Sequence, residues 1–258
     1  MARVAGAVLM LMFAALRPLG AQRPDTIPID TDRPDFTDAT TTVAPHLFQL
    51  ETGFTLQQGR GTSPSLSRTW PEVLFRTGIT NGMELRLGET FESDRAAGAG
   101  MPTVTGRDDL NVGTKIRLVP QDGARPALSV EASTSIPTGS ASATANEWLP
   151  GGAILFGWST SGPWSAGVEF AGTRQVGDYL QAAASLSVQY TVTSRIQLYG
   201  EWFTFQPVDA AGVAGQHYAD SGVLILLSRT VQIDGRGVVG LNGGADRFFT
   251  GVGFSIRR

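Results

Sequence analysis

The feature that most constrains this chain is a strict alternation of apolar and polar residues. It recurs, in stretches of about ten, from Phe48 to the last residues. In Asp109-Leu110-Asn111-Val112-Gly113-Thr114-Lys115-Ile116-Arg117-Leu118, one parity reads Leu, Val, Thr, Ile, Leu and the other Asp, Asn, Gly, Lys, Arg. Successive side chains of a strand point to opposite faces, so this stretch has one greasy face and one wet, charged face. A soluble sandwich or barrel alternates too, but its apolar face is short and points inward. Many alternating strands behind an export leader fit a transmembrane β-barrel, whose apolar face meets lipid and whose interior is polar.

The leader is the only continuous apolar run, Val4 to Leu16, about thirteen residues. That is shorter than the roughly twenty a spanning helix needs. Arg3 before it and Leu19-Gly20-Ala21 after it make residues 1–21 a secretory signal peptide, with cleavage expected between Ala21 and Gln22. Losing Arg3 and Arg17 with the leader lowers the 20 basic residues to 18, against 23 acidic ones, so a polyanion such as nucleic acid is not an expected partner. The chain has no cysteine, which removes disulfides, a thiol nucleophile and a thiolate metal site. An exported chain of this kind must be stabilised by a large sheet or core.

Residues 22–44, rich in Asp, Thr and Pro, show no period and read as an extended periplasmic N-terminal segment. Residues 45–258 read as one antiparallel up-and-down barrel, all-β, of about twelve strands. The Asn81-Gly82 hairpin signal joins the second and third of these. Long connections, at Gly59 to Ser67, Ser93 to Arg107, Thr138 to Leu149 and Pro207 to Gln216, alternate with tight turns. Such alternation is that of an outer-membrane barrel with both termini in the periplasm. Trp158, Trp164, Tyr190 and Trp202 are expected in aromatic girdles. The strand around Ser221 to Leu227 is nearly all apolar, and its parity is blurred.

Unpaired backbone in hydrocarbon costs several kcal/mol, so the sheet must close. Twelve strands about 4.8 Å apart and tilted about 40° enclose a backbone radius of roughly 12 Å, too wide for small side chains to fill. The inward parity carries Glu51, Glu72, Arg76, Glu84, Arg86, Asp109, Lys115, Arg117, Glu131, Glu169, Glu201, Asp234 and Arg236. Both signs are present, so two roles are open: mutual pairing that stiffens the wall, and lining of a path whose polarity they set. Glu89 falls on the apolar parity and is expected at headgroup level or past a bulge. The N-terminal segment is too polar for lipid and leads directly into the first strand. It is therefore a candidate lumen plug, with Asp32, Arg33, Asp35 and Phe36 as its anchors and a dangling periplasmic tail as the alternative.

Catalytic signals are weak. His46 and His217 are the only histidines and have no second His at metal-ligand spacing. His217 and Ser221 share one face of a strand, which an acid would complete into a lipid deacylase, but chance supplies such a pair easily. Asp30, Asp32, Asp35 and Asp38 crowd into nine residues without the Gly and Glu of the helical calcium loop, so neither a metal nor a cofactor is expected. The glycine-rich stretches lack a strand-to-helix unit with a Lys and are no phosphate loop.

Taken together, Thr31-Asp32-Arg33-Pro34-Asp35-Phe36-Thr37, Gln49-Leu50-Glu51-Thr52-Gly53, Leu74-Phe75-Arg76-Thr77-Gly78 leading to Glu84-Leu85-Arg86, Asp109 with Lys115 to Leu118, Pro126 to Pro137-Thr138-Gly139, and Gln232-Ile233-Asp234 resemble a family of bacterial outer-membrane proteins. That family is labelled the MetA pathway of phenol degradation. The likeness spans nearly all of the mature chain, with Phe75 and Thr77 as mild departures. It implies a transporter-like barrel in the bacterial outer membrane that passes small molecules, aromatic or apolar ones among them, and is not an enzyme. Its implied partners are outer-membrane lipid, the barrel-assembly machinery and the permeant. A closed structural barrel without transport and a lipid-modifying barrel enzyme are the alternatives.

Overall fold

The alternating stretches form long strands whose two faces meet different surroundings. The computed structural model of the protein describes residues 27–61, 63–96, 98 and 101–258. The expected signal peptide and the first residues of the N-terminal segment lie outside them. The strands are β1 (Phe48–Gln58), β2 (Leu66–Thr80), β3 (Met83–Thr90), β4 (Ser93–Ala96), β5 (Thr103–Gly106), β6 (Leu110–Val119), β7 (Ala127–Ile136), β8 (Leu149–Ser159), β9 (Trp164–Gln175), β10 (Tyr179–Thr193), β11 (Ile196–Val208), β12 (Gln216–Ser228), β13 (Val231–Gly240) and β14 (Phe248–Arg257). Pairing is antiparallel throughout. β1 pairs with both β2 and β14 and so closes the sheet.

Twelve strands make the wall, β1 to β3 and β6 to β14. The other two, β4 and β5, form a hairpin in the Ser93 to Arg107 connection and continue the upper part of β2, with Leu66 to Thr69 opposite Ala96 to Ser93. Four-residue strands are too short to show a readable alternation, which is why that stretch reads as a loop. The free edge of β5 is covered rather than paired: Ser142 Oγ donates to the Thr105 carbonyl and the Ser140 amide to that of Arg107.

Burial is inverted relative to a soluble protein. The largest fully buried side chains are Arg76 and Lys115, while Leu186, Leu198, Ile154, Phe170 and Val252 are each at least two-fifths exposed on the outer face. Where lipid surrounds the wall, this arrangement satisfies the hydrophobic effect from outside. Trp158, Trp164 and Tyr190 cluster at the end that carries the termini, with the Trp164 and Tyr190 rings 4.7 Å apart. Trp202 departs from the girdle expected of it. It pairs in register with Leu186 at mid-strand, where it packs against His217.

Candidate functional site

The inward parity of the wall builds a charged belt in the half of the barrel nearer the termini. Arg76 and Glu84 face each other from β2 and β3 through two hydrogen bonds, 2.8 Å from Nε and 3.1 Å from Nη2, and Arg76 Nη1 reaches Glu51 at 3.0 Å. Along β6 and β7, Lys115 lies 3.1 Å from Glu131. Arg86 contacts Glu84 at 3.2 Å and Glu131 at 3.4 Å. Glu51, Arg76, Glu84 and Lys115 are all fully buried, so each charge depends on these partners for the solvation it has lost.

Wall residues alone do not complete the belt. Residues 27–45 run into the barrel and back, so this chain segment is what the belt closes on. The Asp32 carboxylate is held by Lys115 at 2.9 Å, by Arg76 at 3.1 Å and by Arg86. Although burial alone would raise it, Arg76, Lys115 and Arg86 hold the Asp32 carboxyl well below the usual carboxylate range. Arg33 bonds Glu72 at 3.0 Å, and Arg236 donates to the Pro34 carbonyl at 2.8 Å. Asp38 meets Arg86 at 2.8 Å. On the far wall Glu201 accepts from the Phe36 and Thr37 amides, both at 2.7 Å, and Glu169 from the Asp38 amide at 3.0 Å. Thus the segment contacts β1, β2, β3, β6, β9, β11 and β13, which only a path across the interior allows.

Its innermost residues differ in chemistry. Asp35 accepts from Ser187 Oγ at 2.9 Å and Gln189 Nε2 at 3.2 Å. Burial, reinforced by the neighbouring Glu201, pushes its carboxyl up to about 8. Phe36 stacks on Phe203 with centroids 5.0 Å apart and meets Phe205 edge-on at 5.2 Å. Those rings continue into an apolar cluster of Phe203, Tyr218, Val238 and Ala245, with Phe249 beside it. Ala245 belongs to the β13–β14 loop, which Arg60 holds in the barrel mouth by donating to the Ala245 carbonyl at 2.9 Å.

Several sequence expectations fall elsewhere. Arg117 makes no ion pair among the described residues and donates to the Asn81 carbonyl at the rim. The register carries it past the belt, opposite Ser129 near the end of β6. Asp109, expected to pair with a wall cation, precedes β6 at the opposite rim and accepts the Gly139 and Ala145 amides at 2.7 and 2.8 Å. Glu72 and Asp234 meet Arg33 of the segment rather than a wall cation, and Arg236 stacks over Phe249, 5.4 Å from its centroid. Glu89 pairs with Arg107 at 3.3 Å. His217 and Ser221 share the outer face of β12, whereas Asp220 between them is buried inward under the Tyr199 hydroxyl, so no acid joins them. Asp220 itself escapes sequence reading because it lies just ahead of the apolar run Gly222 to Leu227, which hides the parity of the strand. The carboxylates of Asp32, Asp38 and Glu131 lie within 4.8 Å of one another, but Lys115 and Arg86 already supply the positive charge among them.

Comparison with known proteins follows the same lines. Residues 31–257 match the model of the family described as "Putative MetA-pathway of phenol degradation". No curated protein matches the chain. Among solved structures, the COG4313 outer membrane channel from Pseudomonas putida F1 superimposes with a TM-score of 0.65 at 12% identity, covering 89% of this chain and 100% of that one. A NanC porin gives 0.54 at 10% identity, and a KdgM porin in complex with disordered oligogalacturonate 0.53 at 8%; each covers 81% of this chain and 98% of its own. At such identities the likeness speaks to the fold, an outer-membrane barrel.

Proposed function

The chain belongs to that phenol-degradation family of outer-membrane barrels, and on that premise we propose that it is a passive channel for small molecules, aromatic ones among them, whose lumen is narrowed by its own N-terminal segment. The observation that carries this reading is the way the segment is held. Residues 27–45 run through the interior on noncovalent contacts, most of them ion pairs and hydrogen bonds, with Asp32 at the centre of three cations and Phe36 on an aromatic wall. A wall of twelve strands would otherwise enclose a space roughly 12 Å in radius. A packed but non-covalent filler that can leave the lumen suits a restricted passage, whereas a purely structural barrel would be filled as well by fixed wall side chains.

The aromatic preference rests on Phe205 and Phe249, half-buried rings that pack edge-on against the buried Phe203 and Tyr218 beside Phe36. Ring pairs of this geometry favour an aromatic guest by about 0.5 to 1.5 kcal/mol each. Enzymatic action on lipid has no comparable support, since His217 and Ser221 face outward without an acid. Assembly would use the barrel-assembly machinery, as the long outer apolar face requires help to reach the bilayer.

Liposome swelling tests the reading with two uncharged solutes that do not cross lipid, methyl β-glucoside and phenyl β-glucoside. Vesicles containing the refolded protein are expected to admit both, and the phenyl compound faster than its larger size allows. No swelling with either solute would refute passage. Rates ordered by size alone would refute the aromatic preference.

A further inference from the structure

At one level of the wall, four neighbouring strands present Glu72, Gly53, Gly253 and Asp234. Glu72 stands opposite Gly53, Gly53 opposite Gly253, and Gly253 opposite Asp234. The result is a floor of bare backbone between two carboxylates. The Arg33 guanidinium lies on that floor, so close that a Cβ added at Gly53 would come within 2.6 Å of Nη1 and one added at Gly253 within 2.6 Å of Nε. Any side chain at either position would evict it.

Arg33 fits this slot on one side only. Its Nη1 reaches Glu72 at 3.0 Å, but its Nε stops 3.8 Å from Asp234 Oδ1, beyond hydrogen-bonding reach. Neither Asp234 oxygen has a hydrogen-bond partner among the described residues, nor does Arg33 Nε, although the Asp234 side chain is fully buried. A buried carboxylate left without a donor is costly, and such exceptions ask for an explanation.

The slot is also reachable. A cavity of about 320 Å³ runs from Arg33 and Glu72 past Glu51 and Asn111 to Asp108 and Asp109 at the outer end of β6. Its volume is at the lower end of the roughly 300 to 1,000 Å³ typical of small-ligand sites. At the mouth Asp108 pairs with Arg95 at 2.7 Å and Glu89 with Arg107 at 3.3 Å, whereas Asp109 receives neutral backbone donors and makes no ion pair among the described residues, so its negative charge stays uncompensated there.

We propose that this cavity is a binding site for a small organic cation bearing a guanidinium or primary ammonium group, with Arg33 as its tethered stand-in. The incoming cation takes Glu72 from the cavity side, and Arg33 closes the 3.8 Å gap to Asp234. Two carboxylates that share one imperfectly placed arginine are then satisfied by two cations. The unpaired Asp109 at the mouth draws positive charge inward and disfavours anions.

Isothermal titration of methylguanidinium chloride into the refolded full mature chain in detergent, at constant ionic strength, tests this. Saturable binding is expected. Glu72→Gln should weaken it roughly tenfold, the worth of one charge-assisted hydrogen bond, and Arg33→Ala should tighten it by a similar factor because the competitor is gone. Heat-modifiable migration on gels verifies folding, and Asp109→Asn replaces Glu72→Gln if that variant fails to fold. Absence of saturable heat, affinities unmoved by both substitutions, or preferential binding of calcium chloride at the same site would overturn the proposal. Heat is read without a membrane potential. A barrel that binds the probe yet passes no solute would therefore contradict the channel reading and leave this one standing.

Discussion

Replacing Leu186 by Arg probes what the outer face touches. Leu186 is 47% exposed near the middle of β10, between Val168 on β9 and Trp202 on β11. In water an exposed Leu→Arg change costs within about 0.5 kcal/mol. In lipid the cost follows depth. A strand rising about 3.3 Å per residue and tilted about 40° climbs roughly 2.5 Å per residue. Tyr190, paired with Trp164, marks the interface near the termini, and Leu186 lies four residues above it, about 10 Å into a band about 25 Å tall. Arg there should destabilise the barrel by about 2 to 4 kcal/mol. Leu180, on the same face and 46% exposed, lies ten residues above Tyr190 at the opposite border, where Arg174 already stands beside it. Leu180→Arg should cost about 0 to 1 kcal/mol. Urea titrations of both variants in phospholipid vesicles, followed by tryptophan emission, give the two values. Equal costs, or a larger cost at Leu180, would refute the lipid-facing assignment.

Arg76→Ala leaves Glu51 buried without its cation and Glu84 with Arg86 alone and should cost about 3 to 5 kcal/mol, while adding Glu84→Ala should cost less than the sum of the two single changes. Strict additivity in the unfolding cycle would argue against pairing. Phe36→Ala removes a stacked and an edge-on ring contact, about 1 to 3 kcal/mol of docking, and should speed amide exchange at Thr37 and Asp38 while wall amides stay protected. Asp35 carries a carboxyl raised from 3.8 to about 8, first by burial and then by Glu201, so the docked segment binds a proton that the released one sheds. This contribution to docking is complete below about pH 3.8 and is lost as pH rises through 8. Conductance should accordingly rise between about pH 6 and 9, and Asp35→Asn should flatten the rise.

The wall was legible because its strands are long and each inward residue is followed by an outward one, as in Asn111, Val112, Gly113 and Thr114. The turn at Asn81-Gly82 and the alternation of short and long connections then gave the order. β12 shows where that signal fails. With Gly222, Val223, Leu224, Ile225 and Leu226 in a row, both parities look apolar, and the inward Asp220 is lost. What no local pattern carries is contact across the lumen. Asp32 meets Lys115, and Thr37 meets Glu201, only because a closed sheet brings opposite walls within reach of one segment. The glycine floor depends on three registers at once, including the β1–β14 pair that joins the two ends of the chain. Either glycine alone reads as a bend or a crowded spot.

Single-channel conductance in a planar bilayer, recorded for the mature chain and for a deletion of residues 22–40, tests the central claim most directly. The deletion removes Asp32, Arg33, Asp35, Phe36 and Asp38 and leaves β1 and its closure with β14 intact. With heat-modifiable migration confirming a folded barrel in both, the deletion is expected to conduct several-fold more than the full chain, because the space held by the segment becomes water. Equal conductance from two folded barrels would contradict the account, since the segment would then fill the lumen without narrowing the path.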